Sequence, residues 1–253
     1  NKALTQGAND FLNKPFDQIE VILRVKNLLK IRKSYVLHAK DHCELEKKVQ
    51  QRTKELSKSI DGLLYSLAVA GELKDDETGK HVLRVGKYAR ILAEGYGLSR
   101  DLSSMIEQAA PLHDIGKIGI PDRILLKPAK LDHDEREVMN QHTIFGHDLI
   151  CDHDSALIQM AQSIAYTHHE RWDGNGYPSA LKGESIPIEG RITAIADVFD
   201  ALTTQRPYKE PWPLEDAINY INEEAGQAFD PALINVFQNN LDSIKYVCTR
   251  FAD

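Results

Sequence analysis

Residues 109–121 read AAPLHDIGKIGIP and residues 168–178 read HHERWDGNGYP, and the segment bracketed by these two runs decides how the chain is read. His113 is followed at once by Asp114, His142 stands alone between the runs, and His168 and His169 are adjacent. Imidazole nitrogen and carboxylate oxygen are the ligands that borderline divalent metals prefer, and a carboxylate can bridge two ions. Outward from this segment, apolar residues recur at helical spacing over 101–110, 134–151, 155–169, 189–204, 214–226 and 231–239, with glycine and proline between them. Strand-like alternation is scarce, so the expectation is an all-α bundle. The irregular stretches 118–130 and 171–187 are long enough to be functional rather than idle connections.

Further candidate ligands lie on either side. Glu77 and His81 stand four apart in DDETGKHVLRV and share one face if that run is a helix, with Asp75 and Asp76 adding negative charge. In HDIGK, Gly116 is expected to let the backbone bend and bring Lys117 back towards the ligands. His142, within MNQHTIFGHDL, is expected in mid-helix. Asp197 follows the apolar run ITAIA, and a buried carboxylate without a partner would cost about several kcal/mol, so it calls for a cation. Any one of these histidines alone reads as an ordinary core residue. Glu77, His81, His113, Asp114, His142, His168, His169 and Asp197 together exceed the four ligands of one tetrahedral ion and imply two or three ions.

The bulk composition narrows the function classes. A net charge of -7 argues against wholesale binding of nucleic-acid polymers, which needs a basic face. No apolar run approaches the roughly 20 residues that span a bilayer, so no membrane partner is expected. Three scattered cysteines without a CxxC pair fit a reducing cytosol, and a cytoplasmic location is expected. The cluster in CDHDS, with Cys151 and His153, reads as a solvated helix end, and His147, five after His142, as pointing elsewhere.

The N-terminal part is organised differently. GANDFLNKPFD suggests a short strand at Phe11–Leu12 closing on Lys14-Pro15, then an amphipathic helix from Ile19. Leu28, Ile31, Tyr35, His38, His42, Leu45, Val49, Arg52 and Leu56 follow at alternating three and four residues, a heptad seam suited to a parallel coiled coil. His38 and His42 are read as seam residues. A homodimer through this linker helix is expected.

Two resemblances attach to these residues. Residues 1–33 resemble the end of a response-regulator receiver domain, which would make Lys14 its switch lysine and an upstream histidine kinase a partner. HDIGK, HHERWDGNGYP, IADVFDAL and RPYK, in that order over roughly 62–240, are similar to the HD-GYP subgroup of HD-superfamily phosphohydrolases, bacterial cyclic di-GMP phosphodiesterases. The implied organisation is a receiver remnant at 1–33, a coiled-coil linker at 34–60 and an HD-GYP domain at 61–253. By this resemblance His81, His113, Asp114 and Asp197 match the basic metal site, and His142, His168 and His169 the additional one. Glu77 matches the acid of members with a third ion, and iron and manganese are the implied metals. His113, Asp114 and Lys117 would be catalytic, and Asp75, Lys117, Arg206 and Lys209 would meet the substrate. Gly176, Tyr177 and Pro178 would shape the loop, while Trp172 and Tyr177 either line the groove or pin that loop. Ala129 stands where the family usually has glycine.

The implied reaction is metal-dependent hydrolysis of cyclic di-GMP to linear pGpG, and onward to GMP if both diester bonds are cut. GGDEF-type signalling proteins are the implied network partners. The alternatives are a cyclic dinucleotide-binding module with weak or no catalysis, and a phosphodiesterase for another cyclic dinucleotide such as cyclic GMP-AMP.

Overall fold

The computed structural model describes every residue except 1–4, 6, 9, 13, 16, 73, 75–78, 151–153, 206–209 and 253. Among the described residues it is all α, with no strand and a single isolated bridge between Ala225 and Phe229. Phe11 and Leu12 are irregular, against the strand expected there. A strand needs a neighbouring edge for its backbone hydrogen bonds, and none lies beside them among the described residues.

The chain divides into two compact units, residues 1–59 and 60–253. One helix, α1 (Gln18–Glu72), runs without a break through both expected boundaries, at 33 and at 60. In the first unit Nη1 of Arg24 donates to both carboxylate oxygens of Asp10, at 2.7 and 2.9 Å, and its Nε donates to Glu20. Along the helix, Glu44–Lys48 and Arg52–Glu55 pair on its surface, while the seam residues Leu28, Ile31, Tyr35, Leu45, Val49 and Leu56 are all exposed. His42 is also exposed and pairs with Glu46.

The second unit is a helical bundle around α2 (Gly79–Tyr96), which with 241–250 adds a helix that the periodicity reading had not delimited. Residues Val82, Val85, Tyr88, Ala89 and Leu92 form its buried stripe, at the spacing that lines one face of a helix. Around α2 pack α3 (Arg100–Ala109), α8 (Ile188–Thr203), α10 (Pro231–Asn239) and α11 (Leu241–Arg250). Between α3 and α8 in sequence lie α4 (Asp122–Leu125), α5 (His133–Asn140), α6 (His142–Leu149) and α7 (Ala156–Thr167); α9 (Leu214–Glu223) precedes α10. Tyr88, Phe199 and Phe237 meet edge to face at 5.4 and 5.2 Å and tie α2, α8 and α10 together. Truncating Phe199, which is 1% exposed, would cost about 3–5 kcal/mol.

Two expectations are corrected here. The helix expected over 134–151 is two helices, parted at Gln141, so His142 opens α6 instead of lying in mid-helix. Nδ1 of His142 bonds the Met139 carbonyl at 2.8 Å and the Thr143 hydroxyl that of Asn140 at 3.0 Å, which competes with the regular helical ladder. The stretch 118–130 is not wholly irregular: it holds α4, whose Ile124 and Leu125 form a small separate core with Ile120.

Candidate metal centre

His113 and Asp114 join two turns of 3-10 helix, Ala110–Leu112 and Ile115–Gly119. The second turn lies directly on α6. A Cβ on Gly116 would sit 1.9 Å from the His142 carbonyl oxygen and 2.3 Å from the Gly146 nitrogen. Gly116 is therefore needed for close approach, not for the bend expected of it. That approach is what brings His142 to Asp114.

Four of the imidazoles are held from behind. Nδ1 of His113 bonds the Ala110 carbonyl at 2.9 Å, that of His142 the Met139 carbonyl at 2.8 Å, and that of His168 the carbonyls of Ile164 and Ala165, both at 3.1 Å. Nδ1 of His81 meets Oδ2 of Asp200 at 2.8 Å. A carbonyl or carboxylate only accepts, so each Nδ1 donates, and a neutral ring then offers its Nε2 lone pair forward. The four Nε2 atoms point into one buried cluster.

Asp114 stands at its centre and faces two ways. Its Oδ1 lies 3.2 Å from Nε2 of His142 and 3.4 Å from Nε2 of His168, which are themselves 3.4 Å apart. Its Oδ2 lies 2.8 Å from Nζ of Lys117 and 3.4 Å from Nε2 of His113. Asp197 closes the second side, with Oδ1 at 3.6 Å from Nε2 of His113 and 3.8 Å from that of His81. Ligand atoms of Asp114, His142, His168 and His169 lie within 4.8 Å of one another, and so do those of Glu72, His81 and His113. The fit to divalent ions rests on chemistry as well as spacing: Nε2 of His113 and Oδ1 of Asp114 are buried and make no hydrogen bond. Such atoms are costly unless a cation meets them.

The charges agree with this. Burial opposes ionisation of Asp114, yet Lys117 and His113 hold its carboxyl well below the usual range. Asp197 is depressed in the same way against burial by His113 and His81. Burial pushes His113 down, but Asp114 and Asp197 prevail and raise it well above an ordinary histidine. His168 and His169 are lowered, first by burial and then, for His169, by the neighbouring His168 and His142.

Several supports escaped the sequence reading. The wholly buried acid of α8 is Asp200, not Asp197: it accepts from Arg84 through Nε at 2.6 Å and Nη2 at 3.0 Å as well as from His81. Glu72, at the end of α1, enters the His81 side. Glu170, following the histidine pair, accepts from the backbone N–H of Ser179 at 2.7 Å and of Leu181 at 2.9 Å and so ties down the loop after it. On that loop a Cβ at Gly176 would lie 2.3 Å from the Arg171 nitrogen, and Tyr177, preceding Pro178, stacks on His169 at 4.8 Å. Trp172 lies beneath the guanidinium of Arg191, at 5.7 Å. Ala129 is exposed, and His147 contacts Tyr166 rather than the ligands. Asp75, Glu77, Arg206 and Lys209, like Cys151 and His153, lie outside the described residues.

Against known proteins, residues 39–233 match the family model described as HD domain. The chain belongs to the HD domain family. This HD domain protein is 40% identical over 250 residues to the cyclic di-GMP phosphodiesterase response regulator RpfG of Xanthomonas campestris pv. campestris, a match covering 99% of the chain and 66% of that relative. It is 46% identical over 188 residues to 3'3'-cGAMP-specific phosphodiesterase 2 of Vibrio cholerae, covering 74% of the chain and 36% of the relative. The chain therefore spans at most about two thirds of these relatives' lengths. Among solved structures, a cyclic GMP-AMP specific phosphodiesterase of V. cholerae shares the HD fold at TM-score 0.56 and 19% identity, over 75% of this chain and 50% of that one.

Proposed function

We propose that the chain hydrolyses a cyclic dinucleotide, cyclic di-GMP in the first instance, at two or three divalent ions, iron or manganese. One observation carries this reading: of four imidazoles fixed through Nδ1, those of His113, His142 and His168 turn Nε2 onto the two-faced carboxylate of Asp114, and that of His81 turns Nε2 towards Asp197. Divalent ions at such a cluster supply Lewis acidity and a water nucleophile at neutral pH. His81, His113, Asp114, Glu77 and Asp197 are the ligands of one side, and His142, His168 and His169 with Asp114 those of the other. Lys117, aligned by Asp114 at 2.8 Å, offers its ammonium to a nonbridging phosphate oxygen as charge develops there. Arg206, Lys209 and Asp75 hold the remainder of the substrate, and Gly176, Tyr177 and Pro178 set the loop that flanks it. The product is linear pGpG, with GMP following if the second bond is cut.

The similarity to RpfG over 99% of the chain supports the wider assignment as output of a response regulator: a receiver end at 1–33, a linker at 34–60 and the HD-GYP domain at 61–253. That assignment brings an upstream histidine kinase, GGDEF-type partners and a cytoplasmic location, and among the described residues no helix is long and apolar enough to cross a membrane. The exposed seam of α1 supports a parallel homodimer. Light scattering that gives the same mass before and after deletion of 28–60 overturns the dimer.

A second substrate is favoured by the cGAMP-specific relative at 46% identity. Metal-replete protein incubated with cyclic di-GMP and with 3'3'-cGAMP, followed by chromatography, separates the two. Linear product from cyclic di-GMP supports the first reading, product from 3'3'-cGAMP alone the second, and binding without conversion of either a sensor module. Replacing His113 and Asp114 together by alanine should abolish both turnover and metal content.

A further inference from the structure

Glu72 is the last residue of α1 and is 2% exposed, and its carboxylate shares a 4.8 Å group with ligand atoms of His81 and His113. Helix chemistry does not favour an acid there, because the C-terminal end of a helix carries partial negative charge. Nζ of Lys117 lies 4.0 Å from Oε2 of Glu72 and 2.8 Å from Oδ2 of Asp114. Glu72 and Asp114 thus share the ammonium of Lys117, while Asp200 is matched by Arg84.

The same helical turn is fastened to the segment that follows Asp114. Gly71 approaches Ile115 so closely that a Cβ would lie 3.1 Å from its Cδ1 and 3.5 Å from its Cα. Just beyond, Nζ of Lys74 donates to the carbonyls of Ile118 at 2.9 Å and Ile120 at 2.6 Å and pairs with Asp122 at 3.3 Å. Ala68 and Leu64, one and two turns earlier, belong to the main core. The helix end and the residues after His113–Asp114 are one packed piece.

We propose that Glu72 is a ligand of the divalent ion held by His81 and His113, and that the seating of the α1 end on residues 115–122 sets how tightly that ion is held. The proposal rests on the metal-centre reading above and adds a route of control to it. A rotation or shift of the last turn of α1 moves Glu72 relative to His81 and His113. It leaves the anchors of His142 and His168 untouched, since these come from Met139, Ile164 and Ala165. One ion is then tuned by the helix and the other is not.

The test is a manganese titration with elemental analysis. E72Q, nearly isosteric but uncharged, should retain one equivalent fewer than the parent after dialysis at low free Mn²⁺, with unchanged far-UV circular dichroism. The lost equivalent should return at free metal about 10–100-fold higher, the usual size of a ligand-environment defect. K74M, at a part-exposed position outside the ligand set, should weaken the same equivalent by a smaller factor. Parental stoichiometry and affinity in E72Q overturns the ligand assignment. Parental binding by K74M overturns the seating claim, and this variant keeps the test open should E72Q not fold. Full metal loading without hydrolysis defeats the hydrolase reading alone, whereas hydrolysis with unaltered metal binding in E72Q defeats only this proposal.

Discussion

The two sides of the cluster that meet at Asp114 are made of different materials. Towards Oδ1 lie His142, His168 and His169, a nearly all-imidazole set anchored by main-chain carbonyls and covered by Tyr177. Towards Oδ2 lie His81, His113, Asp197 and Glu72, an acid-rich set anchored partly by the buried Arg84–Asp200 pair. A carbonyl anchor is as rigid as the helix that bears it and carries no charge to lose. A carboxylate anchor adds basicity to the ring it holds but depends on its own cation. The imidazole side is therefore built to hold its rings neutral, and the acid side to demand positive charge.

The largest effect should come from the residue shared by both sides. Asp114→Asn keeps the size of the group but removes the anion that Lys117, His113, His142 and His168 all face. Metal content on both sides should fall and turnover should drop on the order of 10³-fold or more, measured by elemental analysis and product chromatography. Loss from one side only would mean that Asp114 does not join them. Next comes Asp200→Ala, which strips His81 of its anchor and leaves the guanidinium of Arg84, 2% exposed, without its bidentate partner. The fold should lose about 3–5 kcal/mol in denaturant titration, and affinity for the acid-side ion about 10–100-fold, with the imidazole side retained.

The same contrast explains what was legible in the sequence. The imidazole side is written in adjacent or isolated histidines whose only plausible use is together, and the loop that covers it carries the long motif HHERWDGNGYP. The acid side draws on carboxylates that look alike in a string of letters. Asp197 and Asp200 sit one turn apart on α8, and only packing shows that the first faces the ligands while the second backs His81 through Arg84. Glu72 is nine residues before His81, on a different helix, so no i, i+4 rule could pair them. The break at Gln141 was hidden for a related reason. It depends on side chains of His142 and Thr143 bonding carbonyls, which apolar periodicity does not register.

Acidity offers a way to tell the sides apart in chelator-treated protein. His168 and His169 have folded values below the unfolded one of about 6.5. The unfolded chain binds more protons there, so their contribution to stability is present at higher pH and lost as pH falls through that window. His113 has a raised folded value, so its contribution is fully present below about 6.5 and is lost as pH rises through the folded value. Asp114 and Asp197 are depressed, and their contribution is lost only as pH falls below about 3.9. Thermal melts against pH should show the loss above neutrality vanish in His113→Gln while the loss on the acid side of 6.5 persists. A melt profile unchanged by that variant would show that His113 carries no such proton.

The smallest effect should come from the loop over the imidazole side. Glu170 accepts two backbone N–H groups, from Ser179 and Leu181, and is 4% exposed. Glu170→Gln keeps one acceptor oxygen but turns an amide N–H₂ towards one of those donors, leaving both unsatisfied, at a cost of about 1–3 kcal/mol. Because the loop carries Tyr177, whose ring stacks on His169, the loosening should reach that imidazole's orientation without removing any candidate ligand atom. The variant should then bind metal in parental number, melt at lower temperature and show a weaker KM for the dinucleotide with kcat little changed. If kcat falls as far as kcat/KM instead, the loop acts on the reacting centre and the imidazole side is less self-contained than its carbonyl anchors imply.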